Sequence, residues 1–289
     1  MEVDSVKCDV LLIDGFSLLF RMFFGLPAKI RGKNNQLIHG IVGFTGTLLK
    51  TISYFEPEKV VVVFDSELGS FRQQLDSNYK ANRIKDWSSL SEDMNPFIQL
   101  PDLKKVLDYL SIKHCEIENV EADDVLSEYA RRYNNENKIV IVSTDSDLLQ
   151  LVNENVYVYY PKGKSSVLYD EKEVYRKYNL KPELIADMKA IVGDKSDNIL
   201  GVPGIGIKTA QKLFNKHGNL SSIYDNINDI ENDRIKKKLL DYKEEVFLNL
   251  KLIKLNRKVD LKYNLEELKL SKDFSQYKTM QVLKDLGLT

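Results

Sequence analysis

The sequence is poor in the residues that staple small folds or bind zinc. Two cysteines, Cys8 and Cys115, lie far apart without C-x-x-C spacing, and the three histidines, His39, His114 and His217, are scattered. A disulfide framework and a zinc site of ordinary ligand spacing are excluded. The N-terminal MEVDSVKCDV lacks the basic and apolar pattern of a secretory signal, and no apolar run approaches membrane-spanning length. Net charge is missing too: 42 Lys and Arg against 43 Asp and Glu leave a formal −1, so a polyanionic partner must be sought in the distribution of charge, not in its sum. These absences lead to the expectation of a reduced, cytoplasmic chain with no membrane partner. With 289 residues, 43% of them hydrophobic, the chain can bury a core without a structural metal.

What is present begins with short apolar runs, Val10-Leu11-Leu12-Ile13, Val60-Val61-Val62-Val63-Phe64 and Ile139-Val140-Ile141-Val142. Continuous hydrophobicity predicts strands covered on both faces, as in a parallel sheet. Between them, helices are expected over residues 40–55, 101–110 and 122–133, which makes the first half α/β. Residues 66–100 are polar and carry Arg72, Lys80, Arg83, Lys85 and the single Trp87 without an apolar stripe, the pattern of a mobile lid. Beyond residue 170 only helices are expected, at 171–178, 182–192, 208–216 and one long charged helix near 232–254. Its basic run, Arg234-Ile235-Lys236-Lys237-Lys238, reads as a solvated helix face.

Each apolar run ends in acid: Asp14 after Ile13, Asp65 after Phe64, and Asp145 and Asp147 just beyond Val142. Carboxyl ends of strands in an open α/β sheet converge on the ligand crevice. Glu121, Asp123 and Asp124 open a predicted helix, and Asp194 and Asp197 precede the glycine-rich GVPGIGIKT. Any one of these acids could simply cap backbone N–H groups. Nine around one crevice would repel one another, and no matching set of Lys or Arg accompanies them in sequence, so cations are expected to compensate. Oxygen ligands without thiolates and with few imidazoles favour Mg²⁺ or Mn²⁺, and nine acids suggest two or more ions, the arrangement used for phosphodiester hydrolysis. Arg21, Lys80 and Arg83 are the candidates to offset charge on the phosphate.

GVPGIGIKT is neither a Walker loop, because Ile207 separates Gly206 from Lys208, nor a dinucleotide fingerprint. Pro203 and the glycines read as a tight turn into a helix whose first N–H groups can meet a phosphate.

Taken in order, LLIDGFSLLFR (11–21), VVFDS (62–66), FR (71–72), YKANR (79–83), VEADDV (120–125), STDSDLLQLV (143–152) and GDKSDNILGVPGIGIKTAQKL (193–213) resemble the 5′ nuclease family. That family comprises the flap endonucleases and the N-terminal 5′ to 3′ exonuclease domain of bacterial DNA polymerase I. The resemblance implies a PIN-like 5′ nuclease fold: a mostly parallel central sheet with flanking helices over residues 1–169, carrying a helical arch at about 66–100. An all-α region over 170–289 would follow, with a helix-hairpin-helix type motif at about 182–216.

By the same resemblance Asp14, Asp65, Glu121, Asp123 and Asp124 hold or support one metal, and Asp145, Asp147, Asp194 and Asp197 the other. Lys80, Arg83 and Arg21 act on the scissile phosphate, while Tyr79, Arg72, Gly204, Gly206, Lys208 and Thr209 contact DNA. K⁺ is implied at the hairpin. The implied partners are 5′-flap DNA, 5′ ends and RNA primer–DNA hybrids, handled by a monomer working near the nucleoid alongside a DNA polymerase. Phe20, in place of the Tyr common in polymerase-linked relatives, and Leu200, in place of a Pro, are small departures. No polymerase region follows within the 289 residues, so the expectation is a freestanding chain or an excised domain. An α/β ribonuclease would not need the hairpin and arch, and a DNA-binding module with a decayed metal site would not need all nine acids and Lys80.

Overall fold

A computed structural model describes residues 6–33, 35–66, 69–83, 86–271, 281 and 284. Lys85 and most of the chain beyond residue 271 lie outside these. The elements run β1 (Val10–Asp14), α1 (Gly15–Gly25), α2 (His39–Phe55), β2 (Lys59–Phe64), α3 (Phe71–Leu75), α4 (Leu100–Tyr109), β3 (Lys113–Glu116), α5 (Ala122–Tyr133), β4 (Ile139–Val142), β5 (Val156–Tyr160), β6 (Val167–Tyr169) and α6 (Glu171–Tyr178). Then follow α7 (Ile185–Val192), the two-residue strands β7 (Gly193–Asp194) and β8 (Ile199–Leu200), α8 (Ile207–His217), α9 (Leu220–Asp225), α10 (Asp233–Asp241) and α11 (Lys243–Ile253).

The main sheet has the order β3-β2-β1-β4-β5-β6, parallel except for β6. The chain leaves β1 in one direction through β2 and β3, then returns to build β4 and β5 on its other side. The order reverses between β1 and β4, the point where such sheets open a crevice at their carboxyl ends. The apolar runs show why both faces must be covered. Leu11, Ile13, Val60, Val62, Phe64, Val140 and Val142 enter one core with α1, α2 and α4. The alternate residues Val10, Leu12, Val61, Val63, Ile139 and Ile141 enter a second core with α5. Strands with period two therefore read as unbroken hydrophobic runs, each buried side chain contributing roughly 1.5–3 kcal/mol. The strands missing from the expectation are peripheral. In β3 only Cys115 is buried, and β5 buries Val156 and Val158 while its tyrosines are half-buried.

A third core gathers Ile191, Val202, Ile205, Leu213, Phe214, Ile223, Leu239 and Val246 from the helical region. The single long helix expected near 232–254 is two, because Tyr242 (φ −108°, ψ 20°) leaves the helical range between α10 and α11. The stretch from Leu255 to Ser271, expected with the helical region, returns to the sheet: Leu255, Val259 and Leu268 join the second core, and Tyr129 Oη donates to the Tyr263 carbonyl.

The 66–100 segment also departs from expectation. Among its described residues before α4 begins at Leu100, the only regular elements are α3 and a 3-10 turn at Pro96–Gln99, and the segment is anchored. Ser70, Arg72, Tyr79, Asn95 and Gln99 are buried, and Trp87 packs against Phe20 (5.5 Å between ring centroids) and Phe97 (5.2 Å). Its anchors are polar side chains meeting buried partners, so no apolar stripe betrays them. Among the described residues no helix is long and apolar enough to cross a membrane.

Candidate active site

Asp14 ends β1 and caps α1, accepting from Ser17 N (3.0 Å), while its second oxygen accepts from Ser143 Oγ (2.6 Å) beyond β4. Asp65 follows β2 and accepts from Ala122 N (2.8 Å) at the start of α5. Asp145 follows β4 and accepts from Asp147 N (2.8 Å). Capping is thus real at all three, yet each still faces the crevice. Asp14, Asp65, Asp145 and Asp123, on the first turn of α5, line one cavity of about 1760 Å³ with Arg21, Lys80, Arg83, Phe16, Phe20 and Trp87.

The remaining acids carry cationic partners. Lys80 donates to Glu121 (2.5 Å), and Arg83 to Asp197 (2.6 Å). Lys80 sits at φ 54°, rare for a residue with a side chain, and its N–H donates to the Asp197 carbonyl (2.9 Å). Lys189 on α7 bridges Asp147 and Asp194, donating to Asp194 at 2.7 Å and to Ser146 Oγ at 2.8 Å. Arg72 donates both terminal nitrogens to Asp124 (2.6 and 2.9 Å) and its Nε to the Leu252 carbonyl (2.6 Å).

Two expectations change here. Arg72 is 1% exposed and Asp124 0%, so Arg72 does not reach DNA and Asp124 offers no free oxygen; the pair ties α3 to α5 and α11. Tyr79 is buried as well, its hydroxyl within hydrogen-bonding distance of Glu121 (3.1 Å) and Asp197 (3.2 Å), to either of which it can donate, so it serves the acids and not a DNA surface. The cations absent from the sequence neighbourhood of the acids are also supplied, by Arg72, Lys80, Arg83 and Lys189. Lys189 belongs to none of the acidic motifs; its signal in the sequence is a lysine within Ile185-Ala186-Asp187-Met188-Lys189-Ala190-Ile191-Val192, since a charge in an apolar helix needs a buried partner.

Electrostatics separates most members of the two sets, with Asp147 the exception. Burial and then Asp65 push Asp14 up to about 7. Burial, Asp145 and Asp14 raise Asp123 well above the carboxylate range. Asp65 is raised by burial although Lys80 opposes it. Glu121, by contrast, is held down to about 2 against burial by Lys80 and Arg72, and Asp194 is lowered against burial by Lys189. Asp147 is pushed up to about 7 by burial even though Lys189 draws it down. Among the described residues, Asp14, Asp65, Asp123 and Asp145 make no ion pair, which is an uncompensated demand for positive charge. No group of three or more His, Cys, Asp or Glu among the described residues is drawn tightly enough to enclose an ion. Mg²⁺ does not require such a cage, since it takes one or two carboxylates and keeps several waters, so this donor set fits a hard divalent cation.

The glycine segment is joined to these acids by backbone pairing, with Asp194 opposite Ile199 and Gly193 opposite Leu200, itself 84% exposed. A side chain on Gly201 would overlap the Val192 backbone, and Gly204 turns at φ 79°, the left-handed region. Gly206 is the N-cap of α8 and has no side chain there to satisfy the first N–H groups; Lys208 is exposed and Thr209 half-buried on the first turn.

Residues 9–179 match the family described as 5'-3' exonuclease, N-terminal resolvase-like domain, and residues 180–276 match 5'-3' exonuclease, C-terminal SAM fold. A 5'-3' exonuclease of Aquifex aeolicus is 33% identical over 262 residues, covering 90% of this chain and 86% of that protein. DNA polymerase I of Bacillus caldotenax is 35% identical over 287 residues, or 98% of this chain. The chain spans only about a third, 32%, of that polymerase. Among solved structures, T5 5'-exonuclease with bound zinc superposes with a TM-score of 0.71 at 22% identity, covering 96% of this chain and 97% of that one, a likeness of fold.

Proposed function

The chain belongs to the 5'-3' exonuclease family, and from that premise we propose that it is a divalent-metal-dependent, structure-specific 5′ nuclease. It hydrolyses phosphodiester bonds as a 5′ to 3′ exonuclease and flap endonuclease, near the junction of a 5′ flap and duplex. The observation that carries this reading is the set of four unpaired acids, delivered by β1, β2, β4 and α5 to one cavity that Arg21, Lys80 and Arg83 also line. Bound there, two or more Mg²⁺ or Mn²⁺ ions would supply activated water and charge neutralisation for the phosphate.

The chain's own groups do the rest. Asp14, Asp65, Asp123 and Asp145 present hard oxygen ligands, while Glu121, Asp147, Asp194 and Asp197 flank them with their positions fixed by Lys80, Lys189 and Arg83. Lys80 keeps its ammonium charged at the cavity, held above its ordinary value against burial by Glu121 and Asp197, and so can stabilise charge on the transferring phosphate. Arg83, about half exposed, can exchange Asp197 for a phosphate oxygen, and Arg21 can meet the phosphate from α1. Phe20 and Trp87 give the cavity an aromatic wall beside the acids. The α8 N-terminus, Gly204, Gly206, Lys208 and Thr209 grip the duplex backbone without reading bases.

Polymerase relatives that carry this unit as part of a longer chain favour a place in replication and repair, including removal of RNA primers, alongside a DNA polymerase. Monomeric action in the bacterial cytoplasm at the nucleoid completes the reading. A labelled 5′-flap DNA, compared with blunt duplex and single strand, tests it: cleavage near the flap junction is expected with Mg²⁺ and none in excess chelator. Full activity in chelator, or cleavage confined to single-stranded RNA, would overturn it.

A further inference from the structure

The basic run expected to be a plain solvated face has one member, Lys238, turned onto the glycine hairpin. Lys238 Nζ donates to the Pro203 carbonyl, at the tip of the glycine hairpin. Gly204, next along, gives it room: a Cβ there would stand 2.5 Å from Nζ. Helical spacing puts Arg234, Lys237 and Lys238 on one face of α10, and Arg234, Lys237 and the nearby Lys208 are exposed. The hairpin offers phosphate-seeking N–H groups, but the Pro203 carbonyl is a partial negative charge that would repel a phosphate brought to the same turn. An ammonium has three donors; one on the carbonyl leaves two for a phosphate oxygen.

We propose that Lys238 is a built-in cation of the hairpin, bridging the Pro203 carbonyl and a duplex phosphate, so that the grip needs no bound K⁺ and continues along α10 through Arg234 and Lys237. This rests on the reading that the hairpin holds duplex phosphates. It departs from the expectation of K⁺ at the motif, because the Pro203 carbonyl at the turn already faces a cation supplied by the chain.

Binding of flap duplex without divalent metal, at fixed ionic strength in K⁺ or Li⁺ salts, tests the assignment. Wild-type affinity is expected to agree within about twofold between the two salts, given one internal cation in place of an exchangeable one. Lys238→Met should bind about tenfold more weakly and lower the salt slope by about one, with Lys238→Arg restoring most of both. Lys172→Met, an equal charge change on the exposed face of α6, should leave binding unchanged. Several-fold tighter wild-type binding in K⁺ than in Li⁺, or Lys238→Met binding like Lys172→Met, overturns the built-in cation. Flap cleavage measured in parallel with Mg²⁺ separates the two readings, since a K⁺-requiring but active nuclease sinks only this one.

Discussion

The acids of the crevice divide into two populations, one paired with internal cations and one not. Asp14, Asp65, Asp123 and Asp145 crowd one another and are unpaired among the described residues, whereas Glu121, Asp124, Asp147, Asp194 and Asp197 each hold an internal cation. Chemically identical side chains, many only one or two residues apart, thus serve different ends. The paired set is a scaffold held by internal cations, although burial still raises Asp147 against Lys189. The unpaired set keeps a repulsion that Lys80 offsets only in part, and that is the place to bind a cation.

The comparison can be broken most forcefully at Asp145. Asp145→Asn removes one oxygen ligand from the unpaired set and should lower single-turnover flap cleavage by roughly 10³-fold or more, with unfolding midpoint unchanged or raised, because a repulsion is removed. Retained cleavage would remove Asp145 from the site. Arg72→Met addresses the paired set and should do the reverse. Leaving Asp124 buried without its partner should cost about 3–5 kcal/mol of stability by chemical denaturation. A loss under about 1 kcal/mol would show that the pair is not the lock between α3, α5 and α11.

Metal and pH sharpen the contrast further. Asp14 and Asp147 titrate near 7 when folded, against an ordinary 3.8, so the native chain binds more protons than the unfolded chain between those values. Their contribution to stability is therefore greatest below about pH 4 and is lost as pH rises through 7. In chelator the melting temperature should fall from pH 5 to pH 8. Mg²⁺ should restore it more at pH 8 than at pH 5, by about 2.7 kcal/mol at a hundredfold excess over Kd, or roughly 5–10 °C. An equal Mg²⁺ effect at both pH values would contradict the raised values that burial gives Asp14 and Asp147. The smallest effect is expected away from the acids: Lys208→Ala should lower the salt slope of duplex binding by about one while leaving Mg²⁺ stabilisation untouched.

Much of the site was legible because acids at strand ends are a local pattern. β1, β2 and β4, with Asp14, Asp65 and Asp145 at or just past their ends, could be placed from unbroken apolar runs alone. α5 was found at its full extent, Ala122–Tyr133, from its own periodicity. Arg72 and Tyr79 were misplaced on a DNA surface for the opposite reason. A polar segment without an apolar stripe looks solvent-facing unless its buried partners are known, and those partners are Asp124, Glu121, Asp197 and the Leu252 carbonyl.

By itself the sequence determined the parallel sheet, the convergence of acids on its carboxyl edge and the glycine turn beside them. Each follows from short-range rules: hydrophobic period, strand direction and backbone freedom. Only the tertiary structure decided which acids are neutralised from within and which wait for a cation. That choice turns on contacts such as Arg72 to Asp124, 52 residues apart, and Arg83 to Asp197, 114 apart. Charge pairing acts through a few ångströms of space whatever the chain separation, and the fold alone sets those distances.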